Sequence, residues 1–539
     1  MTDQALIFDQ AKSLDEHGQR ETALGLILNA LASDPLLINT IAADYRSPFA
    51  LAVFQRLRAL YPQDAYVRMT LWHLAREQCD YTVMAEEEPK LLTDIAAGKT
   101  EALAAEQPHG NLMWQEDEGL NRLARLIGPF TPWSPQLGKH RRAMAHNWAD
   151  KIRIGYLSSD FWDDHATMRL FRSVLTAHDP KRYEIVLFCY TDEKMLSFDR
   201  GGRSEWGRIV LLAGKSDEEA ERLIRQEQID ILVDLKGHTR GTRSNLMNRS
   251  LAPVHVQWLG FPGSCIDVDC DYVIGDRFVL PDSSACHYHE AFCRLPESYQ
   301  PNDPFHRPLS PPVKRLSLGL PEGRVIIGAF NSQRKNTPET LRLWAKVLQD
   351  NPQALLWLMI DGQKARQSTA AFFKTLGIKQ SQLLFAPKMA YDAHLARVQA
   401  ADFAVDTFPY NGHTTTSDML WAGVPVITRK GRNFASRVSE SLLNAIGLPQ
   451  LVAEDEAGFV ALASDLIRYP EKRAALRQHL DSQRFIAPLF DAERFCRHLE
   501  SAFETMVARA QKGLDPAPFD VAALPERRSP FSSAEAIKG

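Results

Sequence analysis

The chain is predicted to be an α/β protein with two Rossmann-like domains preceded by an all-α segment. Three features point there. From Lys151 onward, β-rich runs alternate with helical segments; a proline-rich passage divides them into two series; and everything before them has helical periodicity alone. With 539 residues the chain has room for roughly three to four domains.

Taken in order, residues 1–140 carry apolar positions at helical spacing, as in ALGLILNALASDP and FALAVFQRLRALYPQDAYVRMTLWHLAREQ, with stops at Asp34-Pro35 and Tyr61-Pro62. The spacing of the two stops is shorter than a tetratricopeptide period. The segment reads either as a short or degenerate helix-pair array or as a plain helical cap on the next domain. Residues 148–310 form the first α/β series, with strands in KIRIGYLSS, YEIVLFCYT, IDILVDL, VHVQWL and DYVIGD. SYQPNDPFHRPLSPPVKR is the linker. Residues 317–512 hold the second series, from RVIIGAF and ALLWLMI through an apolar strand within LARVQAADFAVDTFPYNG to PVITRKG. Two such series place a cleft between the carboxyl ends of their strands. The tail, 513–539, is rich in Pro, Ala and Ser and is expected to be disordered.

Composition narrows the function. A net charge of −4 and a pI near 6.5 provide no basic field for a nucleic-acid backbone. Seven scattered cysteines do not make a disulfide framework and imply a reducing compartment. No basic-then-apolar leader opens the chain, and no apolar run approaches the ~20 residues of a membrane span. A cytoplasmic protein without nucleic-acid or membrane partners is therefore expected.

The stretch from Asp406 to Gly423, DTFPYNGHTTTSDMLWAG, carries the most chemistry: a strand end, a turn marked by Asn411-Gly412, and a helix start crowded with hydroxyls. Unpaired N–H groups and the positive end of the helix dipole suit an anion. Asp418, one turn in, is better placed to accept hydrogen bonds from a sugar diol, so phosphate and ribose together suggest a nucleotide; an ordinary capped helix is the alternative. Other strand ends add candidates. His165 follows β-run RIGYLSS and suits a general base, a phosphate ligand or a helix cap. The loop Lys236-Gly237-His238-Thr239-Arg240-Gly241, with Arg243 behind it, offers glycines for close approach and cations for an anion. Gly260-Phe261-Pro262-Gly263-Ser264 offers backbone N–H groups or only a turn. In the second series, Gln333, Arg334 and Lys335 follow VIIGAF, Lys335 being the best phosphate cation; Ala386-Pro387-Lys388 follows QLLF and offers a flat face to a base, with His394 and Arg397 on the next helix. Asp267-x-Asp269-x-Asp271 has metal-binding spacing in a turn-like context, and Cys265, Cys270, Cys286, His287, His289 and Cys293 lack a paired zinc spacing, so no metal is expected.

The segments IRIGYLSSDFWDDHAT, GHTRGTR, APVHVQWLGFPGS, GAFNSQRKNTPETLRLWAKVL, APK and DTFPYNGHTTTSDMLWAGVPVITRKGRNFASRVSESLL resemble the catalytic region of the protein O-GlcNAc transferase family across residues 148–480. The resemblance implies a GT-B glycosyltransferase, with tetratricopeptide-like helices ahead of it. It implies an inverting transfer of GlcNAc from UDP-GlcNAc to Ser/Thr hydroxyls of a protein acceptor, with no cofactor besides the donor and no metal. By motif it puts Lys335 on the phosphates as a catalytic residue, Thr414 and Thr415 on the diphosphate, His413 beside the uridine, Asp418 on the ribose, Ala386 and Lys388 on uracil, and His165 at the sugar or as base. His238, Gly263, Gln333, His394 and Arg397 complete the expected donor contacts. Ser332 stands where the family often has Gln, with Gln333 next, so the phosphate-side contact is expected to be rearranged. The helical part is shorter than in many-repeat members. A UDP-glucose-dependent enzyme acting on Asn, and a non-catalytic nucleotide-sugar-sensing scaffold, are the alternatives. A homodimer through the helical segment is allowed by the sequence but supported by no motif.

Overall fold

The computed structural model describes residues 3–125, 133–199 and 202–533. Its helical segment packs Asp3–Glu16, Arg20–Ser33, Leu37–Ala43, Pro48–Leu60, Ala65–Gln78 and Tyr81–Ala96 as a chain of neighbours. Local chemistry sets the starts. Ser47 and Asp64 accept from the Ala50 and Val67 amides at 3.3 and 2.8 Å, and Pro48 fills the first helical position, where no N–H is needed. The apolar faces close over Phe54 and Trp72, both buried.

Beyond it stand two all-parallel sheets. The first contains β1 (Ile152–Ser158), β2 (Tyr183–Cys189), β3 (Arg208–Leu211), β4 (Ile231–Asp234), β5 (Val254–Gln257), β6 (Tyr272–Asp276) and β7 (Ala291–Leu295); the second contains β8 (Ile326–Ala329), β9 (Leu355–Met359), β10 (Leu383–Ala386), β11 (Phe403–Val405), β12 (Val426–Arg429) and β13 (Val452–Ala453). β4, β5, β6 and β8 are buried at every residue, as expected of strands covered by helices on both faces. Their orders are β14-β7-β6-β5-β4-β1-β2-β3 and β10-β9-β8-β11-β12-β13, where β14 (Phe519–Asp520) is the last strand of the chain. Each order reverses direction once, between β1 and β4 and between β8 and β11. Such switch points open crevices at the strand carboxyl ends, which is where ligands bind in doubly wound folds.

Three sequence expectations are corrected. The helix Ala492–Gln511, assigned by sequence to the second domain, packs instead on the first, against β5, β7 and helix Ala166–Ala177. Arg494 and His498 fix it to Glu297 at 2.6 and 3.0 Å, and Glu500 accepts from His178 Nδ1 at 3.2 Å and the Asp179 amide at 3.1 Å. The tail expected to be disordered is ordered over its described part: β14 extends the sheet beside β7, Arg494 donates to the Leu524 and Pro525 carbonyls, and Phe531 meets Phe485 edge-on. Residues 534–539 lie outside the described residues. The strand read within LARVQAADFAVDTFPYNG shrinks to Phe403–Val405, because LARV completes helix Tyr391–Val398. No helix among the described residues is long and apolar enough to cross a membrane.

The acid-x-acid run is an ion-pair anchor. Arg141, from helix Pro135–Arg142, donates to Asp269 and Asp271, each at 2.7 Å, and to the Ala252 and Pro253 carbonyls, while Asp267 pairs with Arg125 at 2.9 Å. Arg141, Asp269 and Asp271 are all buried, so the guanidinium is the counter-charge for two carboxylates and ties the helical segment to the first sheet. Removing one partner of a buried ion pair costs about 3–5 kcal/mol. Arg141→Ala is expected to lose stability of that order in denaturant unfolding; unchanged unfolding would show that the carboxylates are compensated elsewhere.

Candidate functional site

The second-domain half of the cleft is organised by Asp406, at the end of β11. Its carboxylate is wholly buried and accepts from Asn331 Nδ2 (3.2 Å), the Thr407 amide (2.8 Å), the Gly412 amide (2.7 Å) and Thr428 Oγ1 (2.8 Å). These bonds fold residues 407–412 back on themselves. Thr337 and Thr340 hold the Phe408 carbonyl at 2.7 and 2.8 Å. Gly412 is required by closeness: a Cβ there would lie 2.5 Å from Thr416 Oγ1 and 2.7 Å from Asn331 Oδ1. The loop delivers helix Thr414–Trp421 with Thr414 and Thr415 half-buried at its first turn, where backbone N–H groups have no intrahelical acceptor.

Lys335 lies beside this turn. Its ammonium donates to the Asn411 carbonyl at 2.7 Å and sits 4.1 Å over the Tyr410 ring. Burial, together with the neighbouring Arg334 guanidinium, lowers its pKa from the ordinary lysine value, with Asp406 opposing. His413 stacks on Tyr410 at 4.6 Å and meets the Ala435 carbonyl through Nε2 at 3.2 Å; burial and Lys335 depress it far below the usual histidine range, leaving a neutral ring that donates through Nε2. Lys335, His413, Thr414 and Thr415 therefore lie together at this turn.

Asp418, buried, accepts from Tyr391 OH at 2.8 Å and pairs with Arg307 at 3.3 Å, both through Oδ1. Arg169, from the helix after β1, lies 3.9 Å from the Tyr391 ring centre, so this chain of contacts spans the cleft. Ala386 ends β10 with its carbonyl taken by the Ile360 amide at 3.2 Å, and Lys388 is exposed with its amide toward Asp361. Arg397 Nε donates to His394 Nδ1 at 3.1 Å and Arg397 Nη1 to the Pro387 carbonyl at 2.7 Å. Burial and Arg397 bring the His394 pKa down to about 4, so this wall is a neutral imidazole supported by a buried guanidinium.

The first-domain half lies at the β1 and β4 ends. His165 caps helix Ala166–Ala177: its Nδ1 accepts from the Thr167 amide at 3.2 Å, and its Nε2 faces Asp160 at 3.5 Å. Lys236, buried, donates to the same Asp160 oxygen at 2.9 Å, and Thr167 Oγ1 meets the other at 3.3 Å. Burial, partly opposed by Asp160, lowers the His165 pKa. His238 does not join this cluster in the structure's hydrogen bonding. It is buried against Phe261 and faces a cavity shared with the helical segment, and burial brings its pKa down to about 4.

Two expected donor contacts are spent elsewhere. Gln333 bridges to the Glu77 carbonyl (3.0 Å) and the Asp361 amide (2.9 Å), joining the helical segment to the second domain. Gly263 is buried and its amide donates to the Phe261 carbonyl at 3.1 Å. The zinc-type residues do not gather into a ligand set among the described residues: His289 stacks on Trp133 and meets the Val268 carbonyl, Cys265 and Cys270 are buried beside each other, and Cys286 is exposed. The described residues do gather His178, Cys496 and Glu500, but at the far end of the helix that His165 caps, about 18 Å away by helical rise. Sequence reasoning missed Asp160, Arg307, Tyr391 and, above all, Asp406, and it read Lys236 as a cation for an anion where the structure pairs it with Asp160. For Asp406 the signal was present, since it lies next to the end of a switch-point strand.

Asp406→Asn would replace the charged acceptor with an amide whose oxygen can face Asn331, Thr407 and Gly412 only by turning its NH2 toward the Thr428 hydroxyl. Leaving buried donors unpaired costs about 1–3 kcal/mol each. The variant is expected to be destabilised and to lose amide-exchange protection across 407–412; wild-type protection there would remove Asp406 from its organising place.

Comparison with known proteins fits this geometry. The glycosyl transferase family 41 model matches residues 136–307 and 312–499. The probable UDP-N-acetylglucosamine–peptide N-acetylglucosaminyltransferase SEC of Arabidopsis thaliana is 32% identical over 69% of this chain and 38% of its own length; SPINDLY of Oryza sativa subsp. japonica, of the same description, is 32% identical over 74% and 42%. The chain thus spans about two fifths of the length of these curated relatives. A solved O-GlcNAc transferase mutant from Thermobaculum terrenum superposes with TM-score 0.69 at 24% identity, covering 95% of this chain and 99% of that one, and so shares its fold. With that family model matched across both α/β domains and the cleft between them, the chain belongs to glycosyltransferase family 41.

Proposed function

We propose that the protein transfers N-acetylglucosamine from UDP-GlcNAc to Ser or Thr hydroxyls of proteins, with inversion at the anomeric carbon. The observation that carries this reading is the convergence of Lys335 with the open first turn of helix Thr414–Trp421, beside Asp418. The relatives' printed descriptions support the donor and the peptide acceptor.

The roles follow from charge. As the bond from the sugar to UDP breaks, negative charge grows on the departing phosphate. The Lys335 ammonium and the Thr414 and Thr415 N–H groups meet it there, and donors fixed in advance stabilise the transition state at no reorganisation cost. These groups supply the neutralisation that a divalent ion supplies in other transferases. His413 borders the uridine, the Asp418 carboxylate takes the ribose diol, and Ala386 with the Lys388 backbone flanks uracil. With Nδ1 of His165 accepting from Thr167, the proton of the neutral ring lies on Nε2, toward Asp160. His165 is thereby set to donate and to position the sugar or acceptor, and the acceptor proton leaves late through a donor phosphate oxygen or water.

UDP release from a panel of UDP-sugars, with intact-mass analysis of acceptor proteins, tests this. UDP-GlcNAc is expected to be consumed with a gain of one N-acetylhexosamine on Ser or Thr, and Lys335→Ala to lose about 10²–10³ in kcat. A hexose on Asn would favour the glucosyl-transfer alternative; tight UDP binding without turnover would favour the sensing scaffold.

Lys335 also sets a pH dependence. Its charged form binds the diphosphate, and its lowered pKa means that this form is lost at a lower pH than for an ordinary lysine, near 10.4. Above about pH 7 the terminal phosphate is already ionised. UDP affinity is therefore expected to fall as pH rises from there toward the ordinary lysine value, with proton uptake on binding, and Lys335→Ala to flatten the profile. Calorimetry in buffers of different ionisation enthalpy reads both; a flat wild-type profile would contradict this role.

A further inference from the structure

A cavity of about 700 Å³ lies between the helical segment, the loop after β4 and Arg334. It is large enough for several side chains of an extended peptide. Its inner end borders the donor cleft: Arg334 precedes Lys335, and His109 meets the ring of Tyr410, over which the Lys335 ammonium sits, edge-on at 5.9 Å.

Its charges are unevenly spent. Arg76 donates to Glu106 at 2.8 Å and to the Gly110 carbonyl at 2.6 Å; Arg334 pairs with Glu77 at 3.4 Å; Asp217 is held by Arg243 and Asn245. Arg240 has no carboxylate partner among the described residues. Its guanidinium lies 4.8 Å over the ring of Tyr45, a residue of the helical segment, and its side chain is accessible. Burial, with the field of Arg76, Arg334 and Arg240, drives His73 down to about 3, so the wall carries a neutral imidazole and an unmatched cation. On the same loop, two residues before Arg240, His238 is 3% exposed, and neither of its ring nitrogens has a well-formed hydrogen-bond partner among the described residues, the backbone of Ile266 lying nearby. Buried polar atoms left unpaired are costly and point to a missing partner.

An unmatched guanidinium, unfilled hydrogen-bonding capacity and aromatic walls, in a cavity whose inner end borders the donor cleft, match a carboxylate on an extended chain. We propose that this cavity is an acceptor subsite in which Arg240 and His238 select an Asp or Glu side chain flanking the acceptor Ser or Thr. The inference rests on the transferase reading above and names the substrate class at that site.

The test uses the full chain, UDP-GlcNAc and three Ser/Thr peptide libraries of equal length whose flanking positions carry Asp/Glu, Asn/Gln or Lys. The wild type is expected to label the acidic library about 10–100-fold faster than the amide one, the range of a hydrogen bond to a charged group. The ratio should shrink as ionic strength rises. It should fall toward unity in Arg240→Gln and shift toward the Lys library in Arg240→Glu, a reversal that a merely structural arginine would not produce. Equal labelling of the acidic and amide libraries by the wild type, or a preference that Arg240→Glu leaves unchanged, would overturn the subsite while leaving the transferase reading standing. If no library is labelled, binding of the same libraries to the UDP-loaded protein separates the two ideas. Arg240-dependent capture of the acidic library would keep Arg240 as an acid-selecting peptide contact while sinking the transferase reading and with it the acceptor role, and capture without acid preference would sink the subsite.

Discussion

The cleft depends on one buried anion. Asp406 sits at the end of β11 with no solvent to stabilise its charge, and four donors from the ends of β8 and β12 and from its own loop take the place of water. Burial pushes its pKa up while those donors pull it down. An unpaired buried carboxylate would cost far more than the loop could return, so the loop adopts the one path that satisfies it. That path presents the Asn411 carbonyl to Lys335 and brings Gly412 against Thr416, which aims the first turn of helix Thr414–Trp421 into the cleft. A cation held by a carbonyl and a ring beside the open first turn of a helix is the arrangement on which the proposed diphosphate site rests.

The rest of the architecture brings the other half of the chemistry to that turn. Both sheets reverse strand order once, and the cleft residues come from those two reversals: the His165, Asp160 and Lys236 cluster from β1 and β4, and the Lys335 and Asp406 cluster from β8 and β11. The domains are held face to face by polar contacts beside an apolar seam, where Tyr299 meets Phe434 edge-on and Phe261 clusters with Tyr410 and Ala435. Ser441 donates to Asp276 at 2.7 Å, Trp421 to the Pro308 carbonyl at 3.1 Å, and Arg307 reaches Asp418. The C-terminal helix returns to the first domain, so the chain crosses between the domains twice. Gln333 and Arg334 extend the same second-domain loop to the helical segment, through Glu77.

Much of this was legible in the sequence because strand-then-loop order is local. Lys335, His413, Thr414, Thr415 and Asp418 all lie in the loop or the first helix after their strands, and hydrophobic periodicity located those strands. What the sequence hid is the identity of partners far along the chain. The amphipathic pattern of Ala492–Gln511 shows that one face is buried but not which sheet buries it. β14, with only Phe519 and Asp520, is too short for periodicity to register. Gln333 looked like a ligand contact because Glu77, which claims it, lies in another domain. Asp269 and Asp271 had metal spacing, and the guanidinium that replaces a metal is Arg141, far upstream. His165 illustrates a partial reading: the helix cap weighed beside the catalytic role is present, and it fixes which nitrogen bears the proton.

The central claim is that a nucleoside diphosphate docks on the turn that Asp406 shapes. A crystal structure of the protein with UDP tests it most directly. The account predicts the diphosphate within hydrogen-bonding distance of the Thr414 and Thr415 amides and of Lys335 Nζ, with the ribose on Asp418. A diphosphate bound at the loops after β1 and β4, with the Thr414–Trp421 turn left bare, would contradict it.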